Sequence, residues 1–331
     1  GKSFRDGFAD AVFAKYGIEA NDPASLAKMS AASRTSFMLD WYDGLMEFSG
    51  VDHVDHWMGT INWNPALTQI QGSGKRTVIG LLDFAVSGDA DVRNNIVAYD
   101  GVSNFTNGHG AAVASLMVAA HDGKGVMGIA PKASVVAYNP FDETGTANWT
   151  DVTRGIAKLT GGGASIVNMS LGVPGVTLDS GWKDVFSSPS VSPSLKNTVF
   201  VTAAGNDGKA QTQNISWDFS NDPALIVVGS VDPTGTISTF SNRPGSACLV
   251  GARGRCEMTD MLKNRFIVAP GELILVSDDA GGVTRQTGTS FAAPLVSGTV
   301  ALIQNRWPWL ANYPKETVQI VLQSAKDLGA P

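Results

Sequence analysis

From Thr77 onward, apolar runs alternate with helix-like stretches, and this alternation restricts the fold more than any other feature. The predicted strands are TVIGLLD (77–83), ASVVAY (133–138), SIVNMSL (165–171), TVFVTAAG (198–205) and LIVVGSVD (225–232). The predicted helices are GAAVASLMVAA (110–120), VTRGIAKLTGG (152–162), FAAPLVSGTVALIQN (291–305) and TVQIVLQSA (317–325). Nearly continuous apolar strands separated by helices predict an α/β fold with a mainly parallel sheet between helices. In such sheets, functional side chains gather at the carboxyl ends of the strands.

The first 65 residues have a different pattern from the rest of the chain. FRDGFADAVFAKYG and SLAKMSAASRTSFMLDWYDGLMEFSG carry apolar residues at spacings of three and four, which predicts two or three amphipathic helices. We therefore predict a helical N-terminal extension at 1–65 and a main domain at 66–331. A retained pro-segment is the alternative interpretation of the extension.

Composition and charge exclude several classes of function. A chain of 331 residues that is 43% hydrophobic can bury a large core. The net charge of -6 is mild and no Lys/Arg block occurs, so we expect no nucleic-acid or anionic-membrane partner. No apolar stretch approaches the roughly 18 residues of a membrane span, and the opening GKSFRDGFAD is no signal peptide. If the protein is secreted, we expect this sequence to be a mature or trimmed form.

The two cysteines, Cys248 and Cys256, lie in ACLVGARGRC. Their spacing favours a short disulfide-closed hairpin outside the cytoplasm, and two reduced loop thiols are the alternative. The surrounding segment CLVGARGRCEMTDMLKNRF (248–266) is interpreted as an inserted hairpin, followed by a strand at FIVAPG. Two cysteines alone cannot form a zinc site.

Ser290 stands between a glycine-rich approach and the apolar run FAAPLVSGTVALIQ. A serine at the mouth of a buried helix is held at a fixed angle, close to the positive end of the helix dipole. A nucleophilic serine needs this placement, together with a histidine and an acid within reach. A serine that only caps the helix is the structural alternative.

Three further polar residues occur where predicted strands end or a helix begins. Asp83 ends TVIGLLD, Asn206 directly follows TVFVTAAG, and His109 lies between two glycines in NGHGAAVASLM. Flanking glycines allow close approach of the backbone, so His109 is the natural general base. The Asn206 amide can donate to an oxyanion that forms on a substrate carbonyl. A turn or cap aspartate and a turn asparagine are the alternatives.

Metal ligands are not assignable from this sequence. His53 and His56 in VDHVDHW could suggest a metal, but a solvated helix face is the favoured interpretation. The best candidate for a calcium loop is DADVRNN (89–95), but its ligand pattern is weak. We therefore expect no required cofactor, and a structural calcium ion stays possible without an assigned site.

Five segments, in order, resemble the subtilisin-like serine peptidases, or subtilases. VIGLLD resembles the family's aspartate strand, GHGAAVASLM its histidine helix, NMSLG its substrate-binding strand, AAGND its oxyanion segment and GTSFAAPLVSGTVAL its serine helix. The order Asp, His, Ser is that of subtilisin and differs from the chymotrypsin and α/β-hydrolase orders. The resemblance implies a subtilisin-like three-layer fold and an active serine endopeptidase with polypeptide substrates.

The resemblance also implies a role for each site residue. Ser290 attacks the scissile carbonyl, His109 takes the proton and passes it to the leaving amine, and Asp83 orients the imidazole. Asn206 and the Ser290 backbone N–H would bind the oxyanion. The two walls of the primary specificity pocket would be formed by Ser170, Leu171 and Gly172 and by Ala203, Ala204 and Gly205. Trp217 would fall near the base of that pocket, and an ordinary core tryptophan is the alternative.

The sequence departs from the family after its catalytic aspartate. Subtilases usually continue with Thr-Gly or Ser-Gly, whereas Asp83 is followed by Phe84-Ala85-Val86, and Phe291 stands where the family has methionine. The first change removes a hydroxyl near the carboxylate and adds bulk. Two other functions therefore stay open: a catalytically inactive subtilase fold used for adhesion or binding, and an acyl-transferring enzyme such as a peptide cyclase.

The segments nearest the C-terminus resemble one group of subtilases in particular. SNRPGSACLVGARG, FIVAPGELILVSDDAGGVTRQTGTSFAAP and the final LQSAKDLGAP are similar to peptidase passenger domains of bacterial autotransporters. This similarity implies a secreted or cell-surface location. It also implies a C-terminal translocator that is missing from this sequence.

Overall fold

The computed structural model describes residues 3–19, 21–66, 68, 72–86 and 88–329. The chain divides into two compact units. The N-terminal unit comprises the residues up to Val54 together with 121–125, and the main unit comprises 55–120 and 126–331. Residues 56–60, which fall within the predicted extension, thus belong to the main unit.

The N-terminal unit is helical, as predicted. It contains a π-helical turn at Arg5–Ala9 followed by α1 (Asp10–Tyr16), α2 (Pro23–Ala27) and α3 (Ala31–Ser49). Ser30 caps α3 by accepting from the Ser33 N–H at 3.1 Å, and Gly50 ends that helix in the left-handed conformation that glycine favours. The Trp41 ring packs against Phe4, Phe8, Phe13 and Phe37, with centroids 5.2–5.9 Å away. Aromatic packing therefore holds the π-helical turn and α1 against α3.

The main unit is built on a seven-stranded parallel sheet of order β2-β3-β1-β4-β5-β7-β9. Its strands are β1 (Val78–Leu82), β2 (Ile96–Gly101), β3 (Ser134–Asn139), β4 (Ile166–Met169), β5 (Val199–Ala203), β7 (Ala224–Val231) and β9 (Phe266–Pro270). Two short strands, β6 (Ile215–Ser216) and β8 (Leu249–Val250), pair in parallel. An antiparallel hairpin consists of β10 (Ile274–Ser277) and β11 (Val283–Gln286).

Helices cover both faces of this sheet, which confirms the predicted three-layer α/β fold. They are α4 (His56–Thr60), α5 (His109–Val118), α6 (Trp149–Gly161), α7 (Trp182–Ser187), α8 (Thr289–Arg306) and α9 (Pro314–Ser324). One hydrophobic core joins the sheet to α5 and α8, and a second joins it to α6 and α7. Most side chains of β1, β3, β4, β5 and β7 are fully buried, because the helices exclude water from both sides.

The strand β2 was not predicted. It lies at one edge of the sheet, and its central residues are exposed, including Val97 at 60% and Tyr99 at 39%. A strand buried on neither face carries no continuous apolar run, so the criterion that found the inner strands misses it.

The predicted disulfide between Cys248 and Cys256 is present. The segment that it closes contains β8 and a turn. Two short 3₁₀ helices, Met258–Asp260 and Leu262–Arg265, follow Cys256, and a single antiparallel bridge joins Cys248 to Met261. The inserted segment is therefore a disulfide-closed loop with little hairpin character.

Candidate active site

The parallel register brings the predicted site residues to one edge of the sheet. Leu82, the last residue of β1, lies opposite Tyr138 in β3 and Met169 in β4. Asp83 and Ser170 each follow one of these paired positions directly, so they leave the sheet side by side. The helices α5 and α8, which begin with His109 and Thr289, pack against each other in the core on one face of the sheet.

Asp83 and His109 form a close pair. The Asp83 side chain is 2% exposed, and its Oδ1 accepts from His109 Nδ1 at 2.7 Å and from the Phe84 backbone N–H at 2.7 Å. Burial lowers the pKa of His109, but attraction to the Asp83 carboxylate and the hydrogen bond outweigh burial, so the pKa lies above its ordinary value. Because Nδ1 donates to the carboxylate, Nε2 of the neutral ring is the nitrogen that can accept a proton.

Ser290 lies inside the first turn of α8. Gly288 occupies the capping position, so Ser290 does not serve as an N-cap. Its Oγ donates to the Ser170 carbonyl at 3.2 Å. Within the described part of the chain, no hydrogen bond joins Ser290 to His109. The two residues are nevertheless close, since the ring of Phe291, the residue after Ser290, lies 5.4 Å from the imidazole between centroids.

Asn206 follows β5 and is exposed, but its amide has a fixed orientation. Its Oδ1 accepts from the Thr289 backbone N–H at 2.8 Å and from the Thr289 hydroxyl at 3.0 Å. The same hydroxyl accepts from the Gly205 N–H at 3.1 Å. With the amide oxygen held by Thr289, the amide NH₂ is directed away from that contact and is available as a donor.

The two predicted pocket walls follow neighbouring strands. Ser170-Leu171-Gly172 follows β4, and Ala203-Ala204-Gly205 begins at the last residue of β5, with Met169 opposite Thr202 in the register. The Thr202 hydroxyl donates to the Leu171 carbonyl at 3.4 Å. Gly205 has φ +97° and a Cβ there would collide with the Asn242 side chain, so the backbone can follow this path only with glycine.

A buried polar chain links Ser297, further along α8, to the Ser290 carbonyl in the first turn of the same helix, and the sequence analysis did not identify it. The Ser297 hydroxyl donates to Asn168 Oδ1 at 2.8 Å, Asn168 Nδ2 donates to the Ser170 hydroxyl at 3.0 Å, and that hydroxyl donates to the Ser290 carbonyl at 2.8 Å. Ser297 and Asn168 are fully buried. The available signal in the sequence was a polar residue in an apolar element: Asn168 in β4 and Ser297 in α8.

The candidate calcium segment uses its carboxylates for internal hydrogen bonds. Asp89 is 5% exposed, and its two oxygens accept from the Ser277 hydroxyl at 2.6 Å and the Asp91 N–H at 2.8 Å. Asp91 accepts from the Val126 N–H at 3.2 Å. No group of three or more His, Cys, Asp and Glu side chains suited to a metal occurs in the described ranges.

The predicted solvated face for His53 and His56 is wrong. His53 is 2% exposed and precedes α4, and its backbone N–H donates to the Gly125 carbonyl at 2.9 Å. His56 begins α4, is partly buried, and its Nε2 lies 3.1 Å from the Leu273 carbonyl oxygen. Neighbouring Asp55 forms a buried ion pair with Arg285 at 3.0 Å, which ties the start of α4 to the hairpin that leads into α8.

Trp217 occupies the core beneath α7. It is 3% exposed, its Nε1 donates to Asp222 Oδ1 at 2.8 Å, and its ring lies 6.1 Å from that of Phe186. These contacts fit the ordinary core interpretation.

Among the described helices, none is both long and apolar enough to cross a membrane.

Together, the parallel three-layer fold and the edge that gathers Asp83, His109 and Ser290 define a serine peptidase of the subtilisin type. Residues 64–331 match the Subtilase family (Peptidase_S8), so the chain belongs to this family and is a serine endopeptidase. It is 29% identical to Subtilisin DY of Bacillus licheniformis over 73% of this chain and 82% of that protein. It is 31% identical to the major intracellular serine protease of Bacillus subtilis (strain 168), over 70% of this chain and 69% of the relative.

Solved structures of two maturation proteases have the same fold. The prenylagaramide maturation protease PagA aligns with a TM-score of 0.60 and 25% identity, covering 80% of this chain and 90% of that one. The patellamide maturation protease PatA aligns with a TM-score of 0.57 and 26% identity, covering 77% and 89%.

Proposed function

We propose that this endopeptidase cleaves peptide bonds through an acyl-enzyme on Ser290, with His109 as general base and Asp83 as its orienting acid. The observation that carries the proposal is the 2.7 Å bond from His109 Nδ1 to the buried Asp83 carboxylate, beside the helix that begins with Thr289 and Ser290. This bond fixes the tautomer in which Nε2 is free to accept a proton.

The reaction begins when Ser290 Oγ leaves the Ser170 carbonyl and attacks the scissile carbonyl. His109 Nε2 takes the hydroxyl proton, and the resulting imidazolium is stabilised by Asp83. The same proton then passes to the leaving amine, which breaks the C–N bond and leaves an ester on Ser290. Water, deprotonated by His109, hydrolyses this ester and restores the free serine.

The oxyanion would be bound by the Asn206 amide and the Ser290 N–H. Thr289 holds the Asn206 carbonyl oxygen through two hydrogen bonds, which prevents the amide from rotating. A donor that is already oriented needs no reorganisation as negative charge develops on the substrate oxygen.

Labelling with a fluorophosphonate probe tests the nucleophile. We expect the probe to modify Ser290 and Ser290→Ala to lose both labelling and casein hydrolysis. The matched control is Ser324→Ala, which removes an exposed serine at the end of α9 and should change neither. Labelling that survives Ser290→Ala contradicts the assignment. Hydrolysis in EDTA tests the further proposal that no metal is required, and a calcium-dependent melting temperature would reveal a structural ion.

The primary specificity pocket is proposed to lie between Ser170-Leu171-Gly172 and Ala203-Ala204-Gly205. The exposed backbone of Gly172 can pair with an extended substrate as an added strand. Digestion of a peptide library, with products identified by mass spectrometry, measures the preference. The same spectra would reveal cyclic or transpeptidated products if the acyl-enzyme reacts with amines instead of water.

The location is proposed to be outside the cytoplasm, in secreted or surface-attached form with a C-terminal translocator as partner. The disulfide and the similarity to autotransporter passenger domains support this proposal. Family membership does not decide it, since one relative is named as intracellular. Fractionation of expressing cells, followed by protease accessibility of intact cells, tests it: a protein found only in the cytosol contradicts it.

A further inference from the structure

Three phenylalanine side chains meet beside His109, each from the segment that follows a neighbouring strand. Phe84 follows β1, Phe105 follows β2 and Phe141 follows β3. Phe84 stacks on Phe141 with centroids 4.0 Å apart and an interplanar angle of 13°, and it meets Phe105 edge-on at 5.7 Å. It also faces the His109 ring edge-on at 6.1 Å and 77°. We call these three residues the phenylalanine cluster.

Hydrogen bonds fix the backbone that carries this cluster. Asn139, fully buried at the end of β3, donates from Nδ2 to the Ser103 carbonyl at 2.9 Å and the Phe105 carbonyl at 3.3 Å. Its Oδ1 accepts from the Phe141 N–H at 2.9 Å. The Ala85 N–H donates to the Phe105 carbonyl at 3.2 Å. The three segments are therefore tied to one another, and Phe84 is held from two sides.

The Asp83 carboxylate is bonded asymmetrically. Oδ1 accepts from both His109 and the Phe84 N–H, whereas Oδ2 is buried and has no hydrogen-bond partner among the residues described. A buried oxygen without a donor is costly, but no side-chain donor then competes with His109 for the carboxylate charge.

We propose that Phe84 is a positioning residue for His109, an inference that rests on the proposed function. The Phe84 ring limits rotation of the imidazole, and the phenylalanine cluster keeps water away from Asp83. Near the start of α5, the Asp279 Cβ and the Asp278 backbone carbonyl oxygen lie within 4 Å of the position that a Cβ on Gly108 would occupy.

Steady-state kinetics of Phe84→Leu test this role. Leucine keeps the apolar volume but loses the flat ring, so we expect kcat to fall about tenfold, because small misplacement of a catalytic group is expensive, while KM changes little. Phe141→Leu, which removes the stacking partner of Phe84, should lower kcat by a smaller factor. The matched control is Phe219→Leu, an exposed phenylalanine that packs near Gly251 and should leave kcat unchanged.

The variants Phe84→Thr and Phe84→Val have side chains of equal shape and differ in one hydroxyl. The difference in the pKa of His109 between them would be absent if Phe84 had only a structural role. A threonine hydroxyl can donate to Asp83 Oδ2 and draw charge away from His109, so the pKa of His109 should be lower in the threonine variant than in the valine variant. NMR titration of His109 in a Ser290→Ala background measures this without any activity. A wild-type protein that is neither labelled nor active overturns the proposed function but leaves this comparison intact.

Three outcomes overturn the proposal. The first is wild-type kcat in Phe84→Leu at an unchanged melting temperature. The second is a loss confined to KM, which would make Phe84 a substrate contact. The third is the same pKa for His109 in the threonine and valine variants. If Phe84→Leu does not fold, Phe141→Leu decides the kinetic test, and an unchanged kcat in that variant counts against the proposal.

Discussion

At the scale of single residues, the proposed mechanism makes the Asp83–His109 pair responsible for the pH dependence of the enzyme. The general base must be neutral to accept a proton, and Asp83 raises the pKa of His109. As the pH falls, activity should therefore be lost at a higher pH than in an enzyme whose histidine has its ordinary pKa. We expect Asp83→Asn to shift this acid limb of kcat/KM to lower pH, because it removes the charge that favours imidazolium. It should also reduce kcat by about 10⁴-fold. An acid limb that does not move contradicts the assignment of the pair.

The raised pKa of His109 also affects the stability of the fold, which depends on pH in the opposite direction from the activity. Protonated His109 gains its partner only in the folded state, so the pair stabilises the protein fully below the pKa of an unfolded histidine. The contribution is lost as the pH rises through the higher folded pKa. The pair therefore contributes most to stability at a pH where the enzyme is least active.

The second residue-scale prediction concerns Asn206. We expect Asn206→Ala to lower kcat by about 100- to 1000-fold, the loss measured for this type of oxyanion donor in subtilisin, with little change in KM. The substitution also leaves the buried Thr289 N–H and hydroxyl without the Asn206 Oδ1 as acceptor, so we expect a loss of stability of about 1–3 kcal/mol beside the loss of kcat. An unchanged kcat in a destabilised variant would show that Asn206 supports the loop instead of the transition state.

At the scale of elements, the start of α5 lies so close to the segment after β1 that only glycine fits. A Cβ at Gly110 would overlap the Phe84 carbonyl oxygen, and this atom belongs to the backbone and cannot rotate away. We expect Gly110→Ala to displace α5, which destabilises the fold by about 1–3 kcal/mol and moves His109 away from Asp83. Denaturant unfolding and kcat measure the two effects.

Gly161 provides the matched control for this prediction. It lies at the end of α6, and nothing lies within 4 Å of the position that its Cβ would occupy. Because alanine is the better helix former, Gly161→Ala should leave kcat unchanged and stabilise the protein by up to about 1 kcal/mol. Equal effects of the two substitutions would refute the argument from close packing.

Elements could be predicted from the sequence where burial leaves a periodic signal. β1, β3, β4, β5 and β7 are buried on both faces, so each appears as a continuous apolar run, whereas the exposed edge strand β2 does not. Motif resemblance placed Asp83 at the end of β1, Asn206 after β5, and His109 and Ser290 at the starts of α5 and α8, and the structure has the four residues at these places. Distances between elements were not predictable: the Ser170–Ser290 bond and the stacking of Phe84 on Phe141 join residues far apart in sequence.

At the scale of the whole molecule, the main unit has its own hydrophobic core. Both buried clusters found among the described residues draw only on positions from Trp57 onward, and neither includes residues 121–125. Burial of apolar area is the dominant favourable contribution to folding, so a unit with a complete core has what it needs to fold alone. The N-terminal unit instead depends on its own aromatic packing around Trp41.

This distribution predicts that a chain starting at Asp55 folds and hydrolyses casein. We expect cooperative thermal unfolding and fluorophosphonate labelling of Ser290 at the full-length rate. One local change is expected: the N–H groups of Gly123 and Lys124 donate to Asp52 at 3.0 and 2.9 Å, so both amides should exchange faster with solvent once Asp52 is absent. A truncated chain that stays unfolded, while the full-length protein refolds from denaturant, would instead make the N-terminal helices a folding aid, as the pro-segment interpretation requires.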